Sequence, residues 1–168
     1  MKSLLIVIDL QKGWRHKTAT EGVMMNAVAL CKEFKGDVIH CRFRNDPDSL
    51  FHKTLRWTRF VDPEDTDEIP EAAELGLRTY WRTTYSCVTD ELKPLLKQYD
   101  QVFVAGVFTD ISVFVTAMEI FDMNIPVYVV IDCVGTLHGE QVHHYSLQSL
   151  THGIGVNSLV KAKDVLAS

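Results

Sequence analysis

The sequence predicts an α/β fold, a mainly parallel sheet of about six strands with helices packed on both faces. Three observations predict it. Four short runs are continuous, apolar and rich in β-branched residues, as strands buried on both faces are. Segments of helical length separate them, and cap and stop residues bound several of those segments. Strands that alternate with helices need crossover connections, which make neighbouring strands parallel.

The first strand is read at Leu4–Leu10. A helix follows at Val23–Phe34, after the start signal Thr18-Ala19-Thr20-Glu21 and before the stop at Gly36. The second strand is Asp37–Phe43. The acidic stretch Asp62–Glu74 contains proline and reads as a solvated loop. A weaker strand is read at Arg78–Arg82, then a helix at Thr89–Gln98 on a Leu92/Leu95/Leu96 stripe, with Pro94 tolerated only near its first turn. The third strong strand, Gln101–Val107, leads through Thr109 and Asp110, read as caps, into a helix at Ile111–Met123. Pro126–Asp132 is the fourth strong strand, Glu140–Thr151 a helix ending at Gly153, and a short strand near Val156–Val160 completes the sheet.

The chain has 168 residues, 46% apolar and 23% charged. One domain spanning 1–168 with a single sizeable core is expected, and disorder, collagen and coiled coil are excluded. A net charge of −5 argues against nucleic acid or an anionic membrane as partner. No apolar run approaches the roughly 20 residues of a membrane helix. Asp9 interrupts the opening apolar run and no small-residue cleavage site follows, so no signal peptide is read there. Cys31, Cys41, Cys87 and Cys133 are scattered and form no Cys-x-x-Cys pair. A disulfide framework is therefore not expected, and a cytoplasmic location is.

Ligands of open parallel sheets bind at the carboxyl ends of strands. That directs attention to Asp9, Arg42–Asn45, Arg82, the Phe108–Ser112 turn and Asp132–Thr136. Asp9 has two readings: a desolvated general base, or a carboxylate accepting backbone N–H groups of the next turn. Ser112 also has two. In the first turn of a helix it would be a nucleophile favoured by free N–H groups and the helix dipole, or simply a residue that helps start the helix. Trp14, Phe43, Trp57, Phe60 and Trp81 are candidates for an aromatic-lined pocket, with Arg42, Arg44 and Arg56 for anion recognition. The alternative for the tryptophans, favoured at Trp57 and Phe60, is packing of loops and a subunit interface. His138, His143, His144 and His152 show no metal-binding face at i, i+4 spacing, and no metal is expected. No glycine-rich phosphate loop or dinucleotide fingerprint is present, so no cofactor is expected.

Several of these segments together resemble the isochorismatase-like cysteine hydrolases. Asp9-Leu10-Gln11-Lys12-Gly13-Trp14 is similar to that family's Asp-x-Gln-x-Gly-aromatic opening. Val104-Ala105-Gly106-Val107-Phe108-Thr109-Asp110-Ile111-Ser112-Val113, with Thr116-Ala117, resembles its Gly-Val-x-Thr-Asp-x-Cys-Val-x-x-Thr-Ala block. Arg82-Thr83-Thr84-Tyr85-Ser86 is similar to its Lys-x-x-Tyr-Ser block, and His40–Asp46 to the segment after its second strand. The resemblance implies a three-layer α/β/α, Rossmann-like sandwich around a six-stranded sheet. It implies a cis peptide at Val107–Phe108 and an oxyanion turn of Val107, Phe108, Thr109 and Ile111. It places Gln11, Trp14, Phe43, Asn45 and Tyr85 at a substrate pocket, and it implies a homodimer or homotetramer acting on a small-molecule substrate.

The family's usual triad is Asp, Lys and Cys, which hydrolyses amides and related C–N bonds through a thioester. Here Asp9 matches, but Arg82 stands at the lysine's place and Ser112 at the cysteine's. A thiol is partly ionised near neutral pH, whereas a serine hydroxyl needs an adjacent base. A guanidinium stays protonated, so Arg82 suits a clamp on a carboxylate better than a proton carrier. Members that split a vinyl ether manage without the cysteine and keep the aspartate as acid. The nicotinamidase metal motif after the second strand is not matched by Asn45–His52, which disfavours nicotinamide. The expected function is hydrolysis of a small-molecule amide, ureide or related C–N or C–O bond by Asp9, Arg82 and Ser112. The alternative is an inactive member serving as a binding, structural or regulatory subunit. A substitute nucleophile at Cys41, Cys87 or Cys133 is a minor option.

Overall fold

The computed structural model describes residues 1–168. Six strands form one all-parallel sheet in the order β3-β2-β1-β4-β5-β6. The strands are β1 Ser3–Ile8, β2 Asp37–Phe43, β3 Arg78–Arg82, β4 Gln101–Val107, β5 Val127–Gly135 and β6 Leu159–Val160. Helices α1 Glu21–Glu33, α6 Phe114–Asp122, α7 Glu140–Ile154 and α8 Ala162–Ala167 are accompanied by the single turns α2 Leu50–Lys53, α3 Pro63–Thr66, α4 Pro70–Ala73 and α5 Lys93–Leu96. No helix is long and apolar enough to cross a membrane.

Alternation along β1 divides the core between the sheet's two faces. Leu4, Ile6 and Ile8 enter one cluster, with Val104, Ala117, Ile120 and Leu150. Leu5 and Val7 enter the other, with Met24, Ala27, Leu30 and Val130. β1 pairs with β2 on one side and with β4 on the other. Crossovers leave in opposite directions there, so a crevice opens beyond the carboxyl ends of β1 and β4.

The structure corrects several boundaries. β1 ends at Ile8, not Leu10, because Asp9 takes a left-handed backbone with φ 57 and turns the chain out of the sheet. Residues 89–98 hold only the single turn Lys93–Leu96, with Pro94 near its start. The helix read from Ile111 begins at Phe114, and Thr109–Val113 forms a π-helical turn before it. The stretch Asp62–Glu74 is no solvated loop: Pro63 and Pro70 each open a helical turn, and Ile69 and Ala72 are fully buried. β5 runs on to Gly135 through an irregularity opposite Val104–Gly106. Asp132 therefore lies within the strand, where its carboxylate accepts the Ala162 N–H and holds the start of α8, away from the crevice. α8 itself is short and carries no strong sequence signal.

Candidate active site

Asp9 follows β1, Arg82 ends β3, and Ser112 sits on the π-helical turn after β4. All three side chains converge in the crevice, although the sequence separates them by 73 and 30 residues. Arg82 Nη1 donates to Asp9 Oδ1 at 2.8 Å and Nη2 to Oδ2 at 2.9 Å, a two-pronged ion pair. Nη2 also donates to Ser112 Oγ at 2.9 Å, and Nε donates to the Tyr85 carbonyl at 3.3 Å. Exposure is 2% at Asp9, 3% at Arg82 and 5% at Ser112, so the group is nearly dry. Burial works against the Arg82 charge, but its surroundings, the facing Asp9 carboxylate foremost, together outweigh burial and the guanidinium stays protonated, its pKa above the ordinary value.

This group forms the floor of a cavity of about 220 Å³. Aromatic side chains make its walls: Trp14, Phe43, Phe51, Trp57, Tyr85 and Phe108. Trp57 stacks on Trp14 and Phe43 with ring centres 5.6 and 5.9 Å away, while Phe51 meets Tyr85 edge to face at 5.0 Å. Leu55, Thr84, Ile111 and His138 complete the lining.

Of the residues expected at the pocket, Trp14, Phe43, Tyr85, Phe108 and Ile111 line it. Gln11 and Asn45 do not. Gln11 Nε2 donates to the carbonyls of Phe43 and Thr66 at 2.7 and 2.9 Å, and its Oε1 accepts the Phe43 N–H. It clamps the end of β2 to the α3 turn. Asn45 Nδ2 donates to the carbonyls of Trp57 and Arg59, which fixes the loop that carries Trp57. A buried amide is satisfied by the nearest unpaired backbone groups, and both residues follow that rule. Trp81 also lies elsewhere, with the guanidinium of Arg42 4.2 Å above its ring and that of Arg44 5.6 Å away. Those arginines, like Arg56, do not line the cavity. Trp57 and Phe60 both stack on Trp14 within the chain; Phe60 is fully buried, as packing predicts, but Trp57 also lines the cavity, against the favoured packing reading.

The turn residues divide. The Val107–Phe108 peptide is cis. Val107 packs in the core, and the Ile111 and Val113 N–H groups both donate to the Phe108 carbonyl, at 3.3 and 3.0 Å. Thr109 and Asp110 do not cap the helix. Thr109 Oγ1 lies 2.8 Å from His143 Nδ1, and Asp110 Oδ2 lies 2.6 Å from His138 Nδ1. Sequence reasoning missed Phe51, Leu55 and Thr84, because a single helical turn and the loops around it show no period. No group of three or more His, Cys, Asp or Glu residues is placed to hold a metal ion.

All four cysteines are free and buried, and none lines the cavity. Burial pushes the Cys31 and Cys133 thiols up to about 12, far from the thiolate that would act as a nucleophile. Cys87 is not in a helix; its N–H donates to Thr116 Oγ1 at 3.0 Å.

One further polar group braces the floor from below. His40 is fully buried on β2, where its Nε2 accepts the Leu10 N–H at 3.0 Å and its Nδ1 lies 2.6 Å from Glu68 Oε1. Burial lowers its pKa despite the opposing Glu68 carboxylate. The unfolded chain therefore takes up this proton first, near the ordinary value of about 6.5. His40 contributes stability above that pH and loses it as the pH falls toward the lower folded value. Unfolding free energy from urea titrations is expected to drop between pH 7 and 5. His143, also lowered chiefly by burial, adds a drop of the same sign. His40→Gln should flatten the slope by up to one proton, about 1.4 kcal/mol per pH unit; an unchanged slope would remove His40 from the account.

The model of the Isochorismatase domain family matches residues 3–159. The chain belongs to the isochorismatase family. Solved structures show the same fold in proteins of low identity. An isochorismatase-like hydrolase from Alkaliphilus metalliredigens superposes with TM-score 0.85 at 17% identity, covering 99% of this chain and 98% of the other. A cysteine hydrolase from Pseudomonas syringae gives 0.84 at 18% identity, covering 99% and 91%. The nicotinamidase PncA from Bacillus subtilis gives 0.78 at 20% identity, covering 96% and 100%. No curated protein matches the chain. Within this isochorismatase-family fold, the Asp9–Arg82 fork holds the guanidinium against the serine oxygen.

Proposed function

We propose that the chain hydrolyses a small, flat, largely apolar amide, ureide or related compound at a C–N or C–O bond, with Ser112 as nucleophile. The observation that supports this most is the Arg82 Nη2 contact with Ser112 Oγ at 2.9 Å, on the floor of an aromatic-walled cavity. A cation donating to a hydroxyl oxygen favours the alkoxide over the alcohol, and a dry site strengthens that effect. The same guanidinium also favours the negative oxygen that develops as a carbonyl carbon is attacked. Asp9 holds the fork in place and neutralises it in the resting protein. A cavity of about 220 Å³ is smaller than the roughly 300–1,000 Å³ of drug-sized sites, so it suits a ligand of about one ring and a short substituent.

One observation favours a second reading, a family member that only binds its ligand. Arg82 Nη2 is the only hydrogen-bond partner of Ser112 Oγ on the floor, so no base there takes the hydroxyl proton.

A panel of small aromatic and alkyl amides, ureides and esters decides between the two. Wild type is expected to turn over at least one class, and Ser112→Ala to lower that rate by at least about 1,000-fold. Quenching of Trp14 and Trp57 fluorescence by panel compounds with no turnover would support the binding member instead.

A further inference from the structure

The floor of the cavity presents a hydroxyl and a permanent cation, but both Asp9 oxygens are engaged by Arg82 and neither of the two groups is an available base. The mouth of the cavity holds one. His138 lines the same cavity as Ser112, and its Nδ1 lies 2.6 Å from Asp110 Oδ2. With Nδ1–H donated to a carboxylate, the ring's lone pair is left on Nε2, the tautomer of a base held by an acidic partner. Two contacts fix the imidazole, the Asp110 bond and the Phe108 ring 5.2 Å away, and the His138 backbone N–H donates to Thr136 Oγ1 at 3.2 Å. Asp110 sits on the π-helical turn two residues before Ser112, so one turn presents both the hydroxyl and the group that orients the histidine. The Asp110 side chain is only 13% exposed and its Oδ1 has no partner, whereas the imidazole is 48% exposed. A buried carboxylate that orients an accessible imidazole beside a cavity is an arrangement suited to proton transfer.

We propose that Asp110 and His138 form the proton-transfer dyad of this site. The inference deepens the hydrolase reading and rests on it. His138 Nε2 takes the Ser112 proton, directly or over one water, as Oγ bonds to the carbonyl carbon. It returns that proton to the leaving nitrogen or oxygen as the C–N or C–O bond breaks. A water then attacks the acyl-serine, gives its proton to Nε2 and its oxygen to the acid, and the proton goes back to Oγ. One water is consumed in each cycle. Asp110 on the turn is the charged group bonded to the imidazole; Asp9 and Arg82 lie on the floor of the same cavity, and His143 bonds the neighbouring Thr109.

A serine-directed fluorophosphonate tests the dyad without knowledge of the substrate. Its phosphorus bonds to Ser112 Oγ, fluoride leaves, and the hydroxyl proton passes to His138 Nε2. Intact-mass spectrometry and peptide mapping of the full-length protein are expected to place the adduct on Ser112 and to lose it in Ser112→Ala. His138→Gln should slow labelling by at least about 100-fold. Asp110→Asn should slow it by at least about ten-fold. An unlabelled wild type, or a His138→Gln variant labelled at the wild-type rate, overturns the dyad. The substrate panel reports separately. Labelling that needs His138 beside an idle panel supports the dyad and rejects the panel's substrate classes. Turnover unaffected by His138→Gln leaves the hydrolase standing and rejects the dyad.

Discussion

Arg82→Ala is expected to lower the unfolding free energy by about 3–5 kcal/mol, because it strands a buried carboxylate. Asp9 is 2% exposed, and Arg82 engages both of its oxygens, at 2.8 and 2.9 Å. Removing the guanidinium leaves a charge that water reaches poorly, along with a hole beside Phe43, over whose ring the guanidinium carbon lies at 5.5 Å. The double variant Asp9→Leu/Arg82→Met should recover most of the loss, since an apolar pair of similar bulk has no charge left to strand. Urea denaturation followed by circular dichroism gives both values. A loss below about 1 kcal/mol in Arg82→Ala would mean that the pair contributes no more than a surface salt bridge. A double variant no more stable than the single one would place the loss in packing and not in charge.

This pair also marks how far the sequence could be read. Asp9 and Arg82 each stood out by position, at the end of an apolar run and at the end of a weak one. Their strand ends meet because β1, β2 and β3 lie side by side and parallel, an arrangement that follows from alternating strands and helices. The floor of the cavity was therefore legible. The walls were less so, since Phe51 lies on the single turn α2 and Trp57 on irregular chain whose path is set by Asn45 bonding the Trp57 and Arg59 carbonyls. Nothing in a linear pattern distinguishes an asparagine that faces a ligand from one that ties down a loop. The same limit explains Gln11, read as a pocket residue and found bonded to backbone.

The histidines show the opposite error. His138 is weighed in the sequence only as a metal ligand, and no metal spacing emerges around it. Its partner Asp110 lies 28 residues away, and was itself read as a helix cap. A π-helical turn in place of an ordinary helix start redirects both Thr109 and Asp110 toward the α7 side of the crevice. Such a turn inserts one residue into the helical count, and no local propensity announces it. The acidic stretch Asp62–Glu74 failed for a related reason. Its charges suggested solvent, but Ile69 and Ala72 carry the packing and Glu68 the bond to buried His40.

Gly106→Ala is expected to cost more than about 4 kcal/mol and, in practice, to prevent folding. Gly106 lies beside Ile8 in the β1–β4 pairing with φ +112, a backbone conformation that residues with a Cβ rarely adopt. A Cβ built there meets the Ile8 carbonyl oxygen and lies 2.7 Å from the Ile8 nitrogen. Both are backbone atoms of the central strand, so no side-chain rotamer relieves the clash. Relief would require β1 and β4 to separate at the end that carries Asp9 on one strand and the Ser112 turn on the other. The glycine thus allows the close approach of two strands on which the floor of the cavity depends. Gly139→Ala is the control, since that glycine also has a positive φ, +98, but has no atom within 4 Å of the added Cβ. It should lose only the roughly 1–3 kcal/mol of an unfavourable φ. Soluble yield and thermal unfolding of the two variants check the difference. A Gly106→Ala protein as stable as Gly139→Ala would show that β1 and β4 do not approach this closely.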